Sequence, residues 1–354
     1  MEQAGFYTVS MVEKERDAIQ TIALNRPHLQ KIAVPRCIEQ VTAQDLLFEG
    51  GNVLDIGRSL RRGEVDLISA GLPCQPFSTA GNRLSLRDSR GNVFTDFIRL
   101  VEEIQPRFFL MENVKGLLSA ALRHRPIDRR GKAHPPLEPD EMPGTVLAAV
   151  LAAMTKIGYT VVYNLLETAD YGVPQNRQRV IFIGSRDNEP LTFPAPTHCK
   201  NRKKLPKWRT LGDALIDLVD PRPEFTAYSE NRIKYLKLLK EGENWRSLPD
   251  ELKEEAMGGA YNSGGGKVGF YRRLSWDKPS PTVTTSPNQK ATDMCHPIQL
   301  RPLSVREYAR IQTFPDDWQF YGSIASKYKQ IGNAVPVLFA TRIGNTIYNL
   351  IQGQ

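Results

Sequence analysis

The sequence predicts an α/β fold with a doubly wound sheet, joined to a smaller, irregular region. Two patterns carry that prediction. Over residues 1–185, short apolar runs alternate with stretches of helical periodicity. Such alternation is what a sheet flanked by helices requires, and it puts function at the carboxyl ends of the strands. From about 186 the pattern breaks. Pro190, Pro194, Pro196 and Pro206 crowd together, lysines rise, and Gly264-Gly265-Gly266 interrupts any periodicity. Order returns at Arg301, so the chain divides into 1–185, 186–300 and 301–354.

Each element has a local reason. Val65 to Ala70 is apolar and ends at Gly71 and Pro73, as a buried strand would. Val93, Phe94, Phe97, Ile98, Val101 and Ile104 repeat at helical spacing until Pro106. Arg107 to Met111 is a second strand, Val146 to Ile157 a second amphipathic helix, and Thr160 to Leu166 and Val180 to Gly184 two more strands. Ser304-Val305-Arg306-Glu307 has the capping-box pattern of a helix start. A last apolar helix runs from about Val337 to Ile351, and the polar, proline-rich stretch from Arg123 to Pro143 reads as a mobile surface loop.

Composition excludes several classes. The 354 residues are 40% hydrophobic and 24% charged, an ordinary balance for a soluble globular chain. No apolar run reaches the roughly 18 residues of a membrane span. Glu2, Glu13, Glu15 and Asp17 argue against a secretory signal, and four scattered cysteines suit a reducing cytoplasm. The net charge of +8 favours a polyanionic partner without requiring one. Lys200, Arg202, Lys203, Lys204, Lys207 and Arg209 concentrate that charge around Trp208.

Three segments could carry chemistry. Cys74 lies on the Gly/Pro turn Gly71-Leu72-Pro73-Cys74-Gln75-Pro76, just past a buried strand, where a side chain is presented. Taken alone, a lone cysteine is more often a small core residue. Glu112, in Met111-Glu112-Asn113-Val114, follows another strand, where a carboxylate caps a helix or serves a site. Arg177 and Arg179 alternate in Gln175-Asn176-Arg177-Gln178-Arg179, which points both to one face as anion or carbonyl contacts, or as a solvated edge.

Together these segments resemble, in family order, the ProCys, GluAsnVal and Gln-x-Arg-x-Arg motifs of the DNA (cytosine-5) methyltransferases. Asp88 to Phe94, Arg301 to Glu307 with Gln312-Thr313-Phe314-Pro315, and Gly332-Asn333-Ala334-Val335-Pro336 resemble three further motifs. Six in order over about residues 71–336 is a specific match. The resemblance implies a Rossmann-like methyltransferase sheet and a target recognition domain at 186–300. It also implies a sequence-specific enzyme of the bacterial restriction–modification type, acting on double-stranded DNA with S-adenosyl-L-methionine. Cys74 is then the nucleophile, Glu112 binds cytosine N3 and its amino group, Arg179 holds O2, and Arg177 is its partner. For the cofactor the resemblance points to Glu13 at the ribose hydroxyls, with Val93, Asn333 and Pro73 nearby. Ser78 through Arg90, with Arg83 and Arg87, resembles the loop that closes over DNA, and Lys200, Lys203 and Lys204 are expected on phosphates.

The sequence departs from the family in two places. The acidic residue expected near position 40 to read adenine is replaced by Gln40 or shifted to Asp45. The opening strand with its Phe-x-Gly-x-Gly cofactor loop has no counterpart here. That leaves a misassigned start, a truncated gene, or a second polypeptide that supplies the strand. It also gives rise to two alternatives, a DNA-binding pseudoenzyme or one subunit of a split enzyme. The chain made from Met1 is expected to be poorly soluble or unable to bind cofactor. A tRNA methyltransferase ranks last, because such relatives lack a large insert. His198-Cys199 and Cys295-His296 fit no common zinc spacing, so no metal is expected and these are read as loop residues.

Overall fold

The computed structural model describes residues 1–72, 93–126, 129–201 and 204–353. Their contacts form two compact units. The first comprises residues 1–167, 178–195 and 341–354; the second comprises 168–177 and 196–340. These boundaries differ from the division at 185 and 300, because residues 301–340 pack with the irregular region.

The first unit holds the sheet. Its strands are β1 (Leu67–Gly71), β2 (Phe108–Val114), β3 (Thr160–Glu167) and β4 (Gln178–Ser185), in the order β1-β2-β4-β3. β1 runs parallel to β2, while β4 is antiparallel to both β2 and β3, so the sheet is mixed. Phe108 to Met111 and Val180 to Ser185 are buried without interruption, the signature of inner strands covered on both faces. β1 and β3 lie at the edges and are only partly buried.

Helices α1 (Arg16–Asn25), α2 (Ala43–Val53), α3 (Val93–Ile104) and α4 (Thr145–Lys156) belong to the same unit. α3 buries Phe94, Phe97, Leu100, Val101 and Ile104, and α4 buries Val146, Val150 and Met154; both sets keep to one helical stripe. Phe94, Phe97 and Val101 of α3 and the α4 residues join Phe109, Met111, Tyr159, Val180 and Phe182 in one core, while Leu100 and Ile104 pack with Ala43 of α2 in another. Each such side chain contributes about 1.5–3 kcal/mol on burial. One close approach shapes this core. Gly184 stands directly opposite Phe109, and a Cβ there would lie 1.9 Å from the phenyl ring. The ends of the 123–143 stretch are tied by ion pairs, Arg123 to Asp140 at 3.1 Å and Arg125 to Glu141.

The second unit contains α5 (Leu211–Leu215), α6 (Glu230–Leu236), α7 (Asp250–Met257), α8 (Val305–Ile311) and α9 (Ile324–Asn333). One core gathers Leu211, Leu274, Val283, Leu303, Tyr308 and Ile331; another gathers Tyr228, Tyr235, Leu236, Leu239 and Leu248. α8 begins with the expected capping box. The Glu307 amide donates to Ser304 Oγ at 3.2 Å, and the Ser304 amide donates to Glu307 Oε2 at 2.6 Å. The last helix, α10 (Val337–Ile351), buries Phe339, Ile343 and Ile347. No helix among the described residues is long and apolar enough to cross a membrane.

Candidate active site

Because β1 and β2 run together and β4 runs against them, one rim of the sheet collects the ends of β1 and β2 and the start of β4. Val114 pairs with Arg179, and Gly71 pairs with Glu112. Glu112 and Arg179 project from this rim as an ion pair, Nε to Oε1 2.5 Å, with side chains only 15% and 12% exposed. Arg179 also donates from Nη1 to the Gln178 carbonyl at 2.8 Å. A Cβ on Gly71 would stand 3.8 Å from Glu112 Oε2. The carboxylate therefore sits beside the last residue of β1, three positions before Cys74 in the chain. Cys74, Pro73, Ser78, Arg83 and Arg87 lie outside the described residues.

Arg177 does not behave as the partner of Arg179. β4 starts at Gln178, so Arg177 lies outside the strand, and the alternation that would point both arginines to one face does not apply. Its guanidinium is buried in the second unit. Nη1 donates to the Val283 carbonyl at 2.9 Å, and Nη2 to the carbonyls of Gly332 at 3.1 Å and Ala334 at 3.3 Å. These bonds hold the Arg177 guanidinium against the backbone of the second unit.

Sequence reasoning left Gln175 and Gln312 without a role, and both are fully buried beside Arg177's partners. Gln175 Nε2 donates to Gln312 Oε1 at 2.7 Å while its Oε1 accepts from the Val283 amide at 2.8 Å. Gln312 Nε2 donates to the carbonyls of Ile331 at 2.6 Å and Ala334 at 2.8 Å. The network fixes the end of α9 and the residues that follow to Pro336, and Asn333 is exposed there. The only sequence signal was that each glutamine falls within a motif.

The expected cofactor residues sit at element ends. Glu13 forms an isolated parallel bridge with Pro35 and lies shortly before α1. Its Oε1 accepts from the amides of Lys14 at 2.8 Å and Glu15 at 2.9 Å, which fixes the carboxylate. Val93 is the first residue of α3, half-buried against the main core of the first unit. Asp45 is committed elsewhere. It completes a capping box with Thr42 at the start of α2, and the Thr42 hydroxyl and amide hold its carboxyl below the usual range.

In the second unit the described part of the basic cluster is marked by an isolated parallel bridge between Cys199 and Lys207. Lys200 and Lys204 are exposed, and Lys203 lies outside the described residues. Lys200 Nζ stands 5.8 Å from the centre of the Trp208 ring, and Trp208 Nε1 donates to Asp170 at 2.9 Å. The paired His and Cys residues have local partners. Cys199 Sγ faces the Leu205 carbonyl at 3.7 Å. His296 Nδ1 accepts from the amides of Ile298 at 3.1 Å and Gln299 at 3.0 Å, so its proton is on Nε2. Burial pushes that imidazole down to about 4. No group of three metal-ligating side chains occurs among the described residues.

Comparison with known proteins gives this geometry its context. The family model of the C-5 cytosine-specific DNA methylases matches residues 1–349. The chain is 36% identical to the type II methyltransferase M.Sau96I of Staphylococcus aureus over 357 residues, spanning 99% of this chain and 73% of that protein. It is 37% identical to M.PspPI of Psychrobacter sp. and 36% identical to M.Eco47II of Escherichia coli, in each case over 99% of this chain and 76% of the relative. Among solved structures, a prophage-encoded DNA modification methyltransferase of E. coli superposes with a TM-score of 0.62 at 23% identity, covering 99% of this chain and 94% of that one. The Dnmt2 methyltransferase of S. pombe gives a TM-score of 0.57 at 15% identity over 99% of this chain and 94% of its own. At those identities the structural likeness speaks for the fold. The match over nearly the whole chain speaks for more, and on it the protein belongs to the C-5 cytosine-specific DNA methylases.

Proposed function

We propose that this chain transfers a methyl group from S-adenosyl-L-methionine to C5 of a flipped-out cytosine at a specific short site in double-stranded DNA. It would serve as the modification enzyme of a cytoplasmic restriction–modification system, as its type II relatives' names suggest. The observation that carries the reading is the Glu112–Arg179 pair at the sheet rim, beside the strand that leads to Cys74.

The chemistry asks something specific of each residue. Cytosine C5 is a poor nucleophile, and a thiolate adding at C6 makes it enamine-like. Cys74 forms that bond to C6; a free thiol has a pKa of about 8.5, so its proton must leave on attack. Glu112 hydrogen-bonds N3 and the exocyclic amino group and offsets the charge developing in the ring. Arg179, already ion-paired to Glu112, donates to O2 and keeps the ring in register. Bound S-adenosyl-L-methionine supplies the electrophilic methyl group. After transfer C5 loses its proton and Cys74 is expelled, restoring the ring. A stacked base cannot be reached this way, so the cytosine must leave the duplex.

The donor set at Glu13 fits the cofactor. With Oε1 held by two amides, Oε2 remains free among the described residues to accept from ribose hydroxyls. Val93, Asn333 and Pro73 are its proposed neighbours. Arg177 is proposed to hold the second unit's backbone around Val283 and Gly332. Residues 186–300 are proposed to choose the target, with Lys200, Lys203, Lys204, Ser78, Arg83 and Arg87 on DNA. The decisive test uses duplex carrying 5-fluorocytosine at the target, which cannot release its C5 substituent. A covalent adduct should form on Cys74 and be absent from Cys74→Ala, which still binds DNA. An adduct on Cys37, Cys199 or Cys295 overturns the assignment.

A second polypeptide completing the sheet is favoured by one observation: among the described residues, β1 pairs only with β2. An edge in a parallel arrangement is normally covered, because its open amides and carbonyls invite pairing. Calorimetry of cofactor binding, with and without a chain bearing a Phe-x-Gly-x-Gly loop, decides it. Binding should appear only with the added chain, and tight binding without it overturns the idea.

A further inference from the structure

The chain between α7 and Phe270 forms a loop with a built base and a bare tip. Trp245 Nε1 donates to the Lys267 carbonyl at 2.9 Å, and Lys267 Nζ reaches back to the Tyr261 carbonyl at 2.7 Å. Arg246 Nη2 donates to the Gly266 carbonyl at 2.7 Å. The rings of Trp245 and Tyr261 meet edge to face with centroids 6.1 Å apart. Both ends of the segment 262–266 are thereby pinned, while all five of its residues are exposed.

The tip has a composition that anchoring alone does not explain. Gly264, Gly265 and Gly266 leave backbone amides and carbonyls without side-chain cover, and a Cβ at any of the three would meet nothing within 4 Å. Gly265 has φ +99°, a conformation other residues rarely adopt. Ser263 Oγ is used locally, donating to the Ala260 carbonyl at 2.9 Å. Asn262 alone extends a carboxamide with no hydrogen-bond partner among the described residues. Beneath it two cations, Arg246 and Lys267, bind backbone oxygens instead of carboxylates, so their positive charge is not cancelled by an acidic side chain.

We infer that the 262–266 tip reads base edges in the DNA groove, with the Asn262 carboxamide as its specificity-determining side chain. This rests on the proposed DNA methylation activity and names the part of the recognition region that does the reading. A carboxamide offers a donor and an acceptor in one plane, the combination that discriminates base edges in the major groove. Side-chain-free glycines let the backbone approach closely, and an anchored base limits the ordering cost of binding. The uncancelled charge beneath attracts phosphates on either side without reading sequence.

The experiment compares the full-length chain with Asn262→Ala and Asn262→Asp. Each is scored by selection from randomised duplex DNA and by methylation rate at the target found by bisulfite sequencing. Asn262→Ala should lose preference at one position of the selected site. Methylation of the cognate duplex should fall on the order of 10- to 100-fold, with affinity for unrelated DNA changed less than about two-fold. Asn262→Asp, which loses the donor and gains a negative charge, should lose more. An unchanged selected site, or an equal loss on every sequence, overturns the inference, because the first means no reading and the second a phosphate contact. The selection needs no methyl transfer. If the parent binds a defined site but methylates nothing, the proposed activity fails while Asn262's reading is still decided.

Discussion

Replacing Arg177 with alanine separates scaffold from site. Its guanidinium serves three carbonyls, those of the buried Val283 and Gly332 and of the part-buried Ala334. In the variant the Ala334 carbonyl keeps Gln312 Nε2 at 2.8 Å, whereas those of Val283 and Gly332 lose their side-chain donor. An orphaned buried acceptor costs about 1–3 kcal/mol, so the loss is about 3 kcal/mol before any cavity is counted. For a unit this size, 1 kcal/mol moves the melting temperature by about 2–4 °C, which puts the second unit's transition roughly 6–12 °C lower. Differential scanning calorimetry reads that shift directly. Arg179→Ala is the counterpart. It removes a rim ion pair and should lower turnover far more than melting temperature. The reasoning is refuted if Arg177→Ala melts within about 1 °C of the parent while losing turnover as Arg179→Ala does.

Two further outcomes follow from the surface and from a buried imidazole. Changing Lys200 and Lys204 to glutamine should weaken binding to all duplexes alike. It should also flatten the salt dependence by roughly 0.9 in log–log slope per lost phosphate contact, measured by titration at several salt concentrations; an unchanged slope removes these lysines from the interface. His296, lowered to about 4 by burial, stays neutral in the folded chain where the unfolded chain binds a proton. Stability is therefore intact above pH 6.5 and is lost as pH falls from there toward 4, by at most about 1.4 kcal/mol per unit. His296→Asn, whose amide oxygen can still accept from Ile298 and Gln299, should remove this part of the slope in urea melts at pH 7.5, 5.5 and 4.5. Parallel slopes in parent and variant would exclude His296 as the cause.

The first unit was the most legible part of the chain. Helical spacing from Val93 to Ile104 and the uninterrupted apolar runs of β2 and β4 reflect burial on fixed faces, and sequence records burial directly. Strand direction was not recorded there. Nothing in Val180 to Gly184 says that β4 runs against β2, since an inner strand is apolar in either sense. Glu112 and Arg179 were found by motif, and their pairing across the rim needed the register. The same-face reading of Arg177 and Arg179 carried period-two reasoning past the start of the strand at Gln178. Gln175 and Gln312 were invisible for a different reason. A buried polar side chain looks like a surface one until a partner far along the chain, as Gln175 and Gln312 are to each other, is brought to it.

The contact between Gly184 and Phe109 limits how this protein can change over time. The two residues occupy facing positions on the inner strands, and the ring fills the space where any other side chain at 184 would begin. Neither position is free to drift alone. A methyl group arriving at 184 first must evict the phenyl from the core, and losing the ring first opens a void in it. The passable route changes both together, or passes through a smaller residue at 109 that tolerates the void until 184 grows into it. A lineage descended from this chain should therefore carry the two positions as a linked pair, inherited as one character.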